Sequence, residues 1–244
     1  ATGSVSGTGV VGGLMGWNYG GITNSHYDID NVTIKGAHYV TEGGLYASQY
    51  AAWFPAKTLS IASYSASLPL SGGYYTIGST QGLKDMLGFV DNSTYKFRLT
   101  TNLDLTALPD WHLPVFYGLE FDGAGHTLAN LSVNQPFNSN IGFIGRLYNS
   151  TLTGVGLTNV SVTGYGYVGG LVGMNYGSIS NSYSTGAVNG SYYVGGLVGY
   201  NSGSVYSSYS SGNVTGSQDF GGLVGLSYGT ITNSHYDIDN VTIK

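Results

Sequence analysis

The sequence has no cysteine, few charges and no long apolar run, and each lack removes a class of protein. Without Cys there is no disulfide framework and no thiolate metal site. The lack of Cys fits secretion without requiring it. Only 8% of the 244 residues are charged, against about 25% in a typical soluble domain. The seven basic residues (Lys35, Lys57, Lys84, Lys96, Arg98, Arg146 and Lys244) are scattered, so no basic stripe exists and nucleic acid is not an expected partner. No apolar stretch is long enough to span a bilayer. No signal peptide is visible and residue 1 is Ala, so the chain is expected to be a processed or excised portion of something longer.

What is abundant is glycine (41), tyrosine (22) and the uncharged polar residues Ser, Thr and Asn. Plentiful Tyr, Val, Ile and Leu with a net charge of only −5 do not fit disorder. They suit strands, where β-branched and aromatic side chains cover a pleated surface.

Self-similarity decides the architecture. The segments starting at Tyr167, Tyr193 and Phe220 align without gaps, and Gly173, Gly199 and Gly225 lie 26 apart. A looser copy before them places Gly145 in the position of Gly173, with slightly wider spacing. A longer period is also present: residues 1–35 match residues 210–244 at a constant offset of 209, with 23 of 35 positions identical, including every residue from Ile22 to Lys35. An offset of 209 corresponds to about eight coils. A 26-residue unit of short β-prone stretches and Gly, Asn and Ser turns cannot bury its own apolar face, whereas stacked units can, each strand pairing with its counterpart at ~4.8 Å. The expected ladders are Leu171, Leu197 and Leu223; Ile179, Val205 and Ile231; and Val188 with Val214. The double glycines that include Gly170, Gly196 and Gly222 are expected where walls approach closely or φ is positive. Asn175 and Asn201 form a candidate amide ladder, and Tyr183, Tyr209 and His235 a third kind of stack. One short helix is expected in the stretch that starts at Ser79, with Ser79 or Thr80 as its cap and Leu83, Met86 and Leu87 facing the core.

The motif Gly-Leu-Val-Gly, at residues 170–173, 196–199 and 222–225 and as Gly-Leu-Met-Gly at 13–16, resembles the GLUG repeat of large bacterial exoproteins of the filamentous-haemagglutinin type and of other surface adhesins. Residues 95–133 look like the module that often precedes such coils. The resemblance covers about residues 1–35 and 75–244. It implies an all-β, right-handed parallel β-helix, secretion to the cell surface, and a role in adhesion or matrix. It carries no catalytic residues.

Four regions are expected. Residues 1–35 form a coil that closes a stack. There the phrase SHYDIDNVTIK breaks register, since Val188 and Val214 are 26 apart but Val241 comes one later than position 240. Residues 36–75 form an irregular aromatic-rich insertion on the flank of the rod. Residues 76–140 carry the helix and reopen the solenoid, and residues 141–244 are four further coils.

No cofactor is expected. Asp28 and Asp30, recurring as Asp237 and Asp239, are weak metal candidates, because alternating carboxylates suit Ca²⁺ but two fall short of its six or more oxygens. Asp122 and His126 in a Gly-rich turn invite an acid–base reading beside a plainer one as a tight β-arch. The leading functional reading is a structural or adhesive segment of an extracellular exoprotein. Its expected partners are copies of itself, through solenoid ends or lateral packing, or glycans and neighbouring surfaces. The alternatives are a carbohydrate-active β-helix enzyme and a glycan-binding module using Trp53 or Trp111.

Overall fold

The computed structural model describes residues 3–16, 24–239 and 242–243. From Tyr74 onward the chain winds into stacked coils with three walls. The first wall contains Tyr74–Ile77, Lys96–Leu99, Glu120–Asp122, Ile144–Thr153, Val172–Ser180, Val198–Asn201 and Val224–Ser227 as successive neighbours, with Ser204–Tyr206 and Thr230–Thr232 extending it. The second wall runs from Leu103–Asp104 through Thr127–Ala129, Gly156–Thr163, Tyr183–Asn189 and Tyr209–Ser211 to His235–Tyr236. A short third wall joins Gly166–Gly169, Tyr192–Gly195 and Gln218–Gly221. Pairing between successive coils is parallel; the antiparallel strand pair is the hairpin Leu70–Ser71 with Tyr74–Ile77, turned by Gly72 and Gly73 at φ 58° and 82°.

The walls form because inward positions alternate with outward ones along each strand. Val172, Val198 and Val224 are in register, as are Ile179, Val205 and Ile231, and Val188 and Val214. Leu171 N–H donates to Leu197 O, and Leu197 N–H to Leu223 O, at 3.0 and 2.9 Å. Leu171, Leu197 and Leu223 are all buried, whereas Ile231, at the end of its column, is 40% exposed. The double glycines lie where the third wall turns into the first. A Cβ on Gly195 would meet Val198 O and come within 2.7 Å of Gly225 N, and one on Gly196 would meet Gly222 O. These positions need Gly for close approach of backbones.

The single expected helix becomes two. Thr80–Met86 is capped by the Ser79 hydroxyl, which accepts from Gly82 N–H at 3.2 Å. Within the segment read as irregular, Ala47–Ala56 is also helical; we name it α1, and Thr80–Met86 α2. α1 has no local side-chain cap: Tyr46 precedes it, and the carboxylate of Asp30 accepts from Ala47 N–H at 2.8 Å. Two 3-10 turns, Ile61–Tyr64 and Leu87–Phe89, flank these helices.

The two copies of the 35-residue phrase share one geometry. Gly3–Val5 pairs in parallel with Val32–Ile34, and Asn213 and Val214 pair in the same way with Thr242 and Ile243. Both pairings skip three more positions than the regular coil does. Tyr209 and Ser210 still keep the regular coil spacing in their pairing with His235 and Tyr236. The register slip in the phrase is therefore three positions rather than the one expected, because the turn at Asp237–Asp239 is longer than its counterparts. The first copy and the segment after it pack sideways on the solenoid: Val11 N–H donates to the Asn138 carbonyl oxygen, and the His112 ring hydrogen bonds Val40 O at 2.9 Å.

Candidate interaction surfaces

Outward positions of the first wall carry a tyrosine stack. Tyr117, Tyr148 and Tyr176 lie nearly parallel with ring centroids 5.0 Å apart. That distance is close to the spacing of the strands that hold them. The row continues, tilted, through Tyr200 and Tyr228 at 6.1 and 6.0 Å. Tyr167 stacks on Tyr193 at 4.9 Å, with Tyr200 set edge-on to Tyr167. On the second wall Tyr183 stacks on Tyr209 at 4.9 Å, and His235 follows in register. Partial burial raises the phenol pKa of Tyr117, Tyr176 and Tyr209, so these three hydroxyls stay neutral well above pH 7. The result is a broad uncharged face of ring edges and hydroxyls.

The acids are spread along the chain from Asp28 to Asp239 rather than gathered. Lys96 and Arg98 sit opposite Glu120 and Asp122 on adjacent strands and form ion pairs of 3.0 and 2.8 Å. The Tyr74 hydroxyl donates to Glu120 as well. Hydrogen bonding to Glu120 raises the pKa of Lys96, which keeps it protonated, the opposite of what a catalytic base needs. Asp122 also accepts from Ala124 N–H, while the ring of His126 is 3.3 Å from the Asn102 side chain. The arch formed by Asp122 and His126 is held by these turn bonds. Asp104 accepts from Asn130 and from Thr106, and these bonds hold its pKa at about 2.

Three of the four metal candidates use their carboxylates in local backbone or side-chain bonds. Asp28 accepts from Asp30 N–H and from the Asn31 amide, Asp30 accepts from Ala47 N–H of α1, and Asp237 accepts from Asp239 N–H. Among the described residues no group of three or more His, Cys, Asp or Glu is placed to hold a metal ion. The two tryptophans considered for sugar binding are buried. Trp111 is fully enclosed beside Phe143, and Trp53 donates its indole N–H to Asn24 while packing edge-on to His26. Their faces are not open to a glycan.

A cleft of about 350 Å³ lies between the first copy of the coil and the tyrosine wall, lined by Val10, Val11, Met15, His112, Tyr148, Tyr167 and Tyr176 among others. The ion pair of Arg146 with Glu42 crosses it, both side chains largely buried. Sequence reasoning missed this pair because 104 residues separate its members. Its only trace in the sequence is an arginine in a region almost free of charge.

Stacked coils with Gly-Leu-Val-Gly corners define a class of repeat solenoid. Residues 164–189 and 190–215 each match the family model of the GLUG motif. In the curated set, the chain is similar to halomucin of Haloquadratum walsbyi (strain DSM 16790 / HBSQ001), with 34% identity over 118 residues, covering 41% of this chain and 1% of halomucin. The matched stretch thus spans only about 1% of that relative's length. Among solved structures it resembles a Bacteroides ovatus protein described as a candidate immunoglobulin A1 protease. That likeness has a TM-score of 0.43 and 18% identity and covers 70% of this chain and 77% of the other. No helix among the described residues is long and apolar enough to cross a membrane.

Proposed function

We propose that this chain is a structural and adhesive segment of a secreted cell-surface exoprotein, a stretch of rod that contributes to an extracellular fibre or matrix and acts without a catalytic site. The observation that carries this reading is the in-register repetition of one coil. Val172, Val198 and Val224 inside, and Tyr183, Tyr209 and His235 outside, occupy the same places in successive turns. A rod built this way lengthens by adding coils, and each coil adds the same surface. The GLUG match and the similarity to halomucin support the surface setting. We take the coils to wind right-handed, as parallel strand connections overwhelmingly do.

Surface chemistry suits assembly. Between Arg146 and Lys244 the sequence has no Lys, Arg or Glu. With so little charge there is little repulsion between rods lying side by side. Exposed tyrosines such as Tyr206, Tyr209 and Tyr228 supply hydroxyls for hydrogen bonds across such a contact, or to glycans. A carbohydrate-active enzyme fits less well, because Glu120 and Asp122 are each neutralised by their own cation on an open wall. Electron microscopy of the purified chain at rising concentration tests the proposal. Laterally or axially ordered assemblies are expected, and discrete short particles at every concentration would remove it.

A further inference from the structure

We propose that the exposed edge of the last coil, Tyr236 to Asp239, is a docking site for a further copy of residues 36–56, the segment that already covers the identical edge at Tyr27 to Asp30. This deepens the fibre reading and rests on it: it names what joins one copy of the long repeat to the next. The argument starts from two copies of one sequence in two environments. Ile22–Lys35 and Ile231–Lys244 are the same fourteen residues. Tyr27 and Ile29 are 0% and 2% exposed, whereas Tyr236 and Ile238 are 42% and 76% exposed.

What covers the first copy is specific. Gly44–Leu45 adds a parallel strand, so that Tyr27 N–H donates to Gly43 O and Ile29 N–H to Leu45 O, at 3.0 and 2.8 Å. The Tyr27 hydroxyl donates to Tyr39 O and accepts from the N–H and hydroxyl of Thr41, all within 2.9 Å. The Asp30 carboxylate caps α1 through Ala47 N–H. Trp53 closes the site by donating to Asn24 and packing on His26.

Each receiving residue recurs. Asn24, His26, Tyr27, Ile29 and Asp30 become Asn233, His235, Tyr236, Ile238 and Asp239, with the same side chains. Alternation along a parallel strand turns the amides of His235 and Asp237 back to Ser208 and Ser210 of the preceding coil. It turns those of Tyr236 and Ile238 the other way, as Tyr27 and Ile29 do. An exposed strand edge with an apolar side chain such as Ile238 is a template for another strand. The strand this template is seen to accept is residues 43–45, followed by α1. A first coil of a neighbouring rod is not what the structure places there.

The test extends the full chain after Lys244 with a second copy of residues 36–90, long enough to include the Gln49 side chain's bond to Asp85 O that steadies α1. Hydrogen exchange of the Tyr236 and Ile238 amides is then compared with that in the unextended chain. We expect protection of both to rise at least ~10-fold on extension. Ile238→Asp should abolish that gain in the extended chain, while leaving the melting temperature of the unextended chain unchanged, since Ile238 is exposed there. Unchanged exchange on extension would overturn the proposal. So would protection of the edge in the unextended chain that grows with concentration, which would make the occupant a second whole copy. Fibres in the microscope with an edge that stays unprotected would retain the structural role and reject this joint. A protected edge without fibres would do the reverse.

Discussion

One inward column runs through both halves of the solenoid and changes character on the way. In register order it reads Tyr75, Phe97, Phe121, Leu152, Ile179, Val205 and Ile231. The early coils fill their cross-section with rings: Phe97, Phe116, Phe121 and Phe143 meet edge-to-face at 5.5 to 6.3 Å. From residue 164 on, aliphatic Leu, Val and Ile replace the rings, and the spacing settles at 26. Before that it varies, from Phe97 to Phe121 and then from Phe121 to Leu152, because loops of different length leave different amounts of space for side chains to fill. The lesson is that coil length and side-chain volume adjust together, since interiors must reach crystal-like density.

Substitutions along that column are the most direct way to break the comparison. Phe121→Ala removes a fully buried ring and should destabilise the chain by about 4 kcal/mol. Val205→Ala, in the aliphatic half, should cost about 2 kcal/mol. Ile231→Ala, at the exposed end, should stay within ~0.5 kcal/mol. Urea unfolding of the three variants measures the gradient. Equal losses at Phe121 and Ile231 would show that the column does not act as one core.

A second difference is electrostatic. The early coils enclose His112, whose pKa burial pushes down to about 4, although its ring nitrogen hydrogen bonds Val40 O. The unfolded chain binds this proton near pH 6.5 and the folded chain does not. Between about pH 6.5 and 4 the unfolded state therefore holds more protons, and stability falls as pH falls through that window. The shift corresponds to a loss on the order of 3 kcal/mol. Asp104 answers only at lower pH, because its carboxyl is held at about 2. Unfolding free energies at pH 7 and pH 4.5 should differ in the native chain and differ less in His112→Gln. A native profile flat across this range would show that the imidazole is not enclosed.

What could be read from the sequence follows the same divide. The period of 26 was legible where consecutive coils are equal, from Gly173 to Gly199 to Gly225, and α2 was legible because Ser79 is its own local cap. α1 was not, because its cap is Asp30, 17 residues earlier, and because aromatic residues and Pro55 obscure its pattern. Glu42 and Arg146 could not be paired from sequence, since nothing local links them. The slip of three before Ile243 was read as one, because identical strand residues do not reveal the length of the turn between them. Contacts set by one coil's own residues show in the sequence, whereas contacts between unlike segments do not.

The sharpest boundary between the two halves is one further column, in which Leu147 pairs with Asn175, then Asn201, then Ser227. An apolar position becomes an amide ladder within one coil. Asn175 donates to Asn201 at 2.7 Å, and Asn201 donates to the Ser227 hydroxyl at 3.0 Å, with both amides fully buried. Asn175 also accepts from Gly177 N–H, which pins the turn. Asn201→Leu leaves an Asn175 donor one partner short and removes the tie to Ser227. Its expected cost is about 1–3 kcal/mol, the penalty for a buried polar group left underpaired. Asn175→Leu in the same chain restores an apolar column continuous with Leu147, so the double variant should lose less than the sum of the singles. Strict additivity in that cycle would mean that the two amides act as separate turn bonds and that no ladder spans the coils.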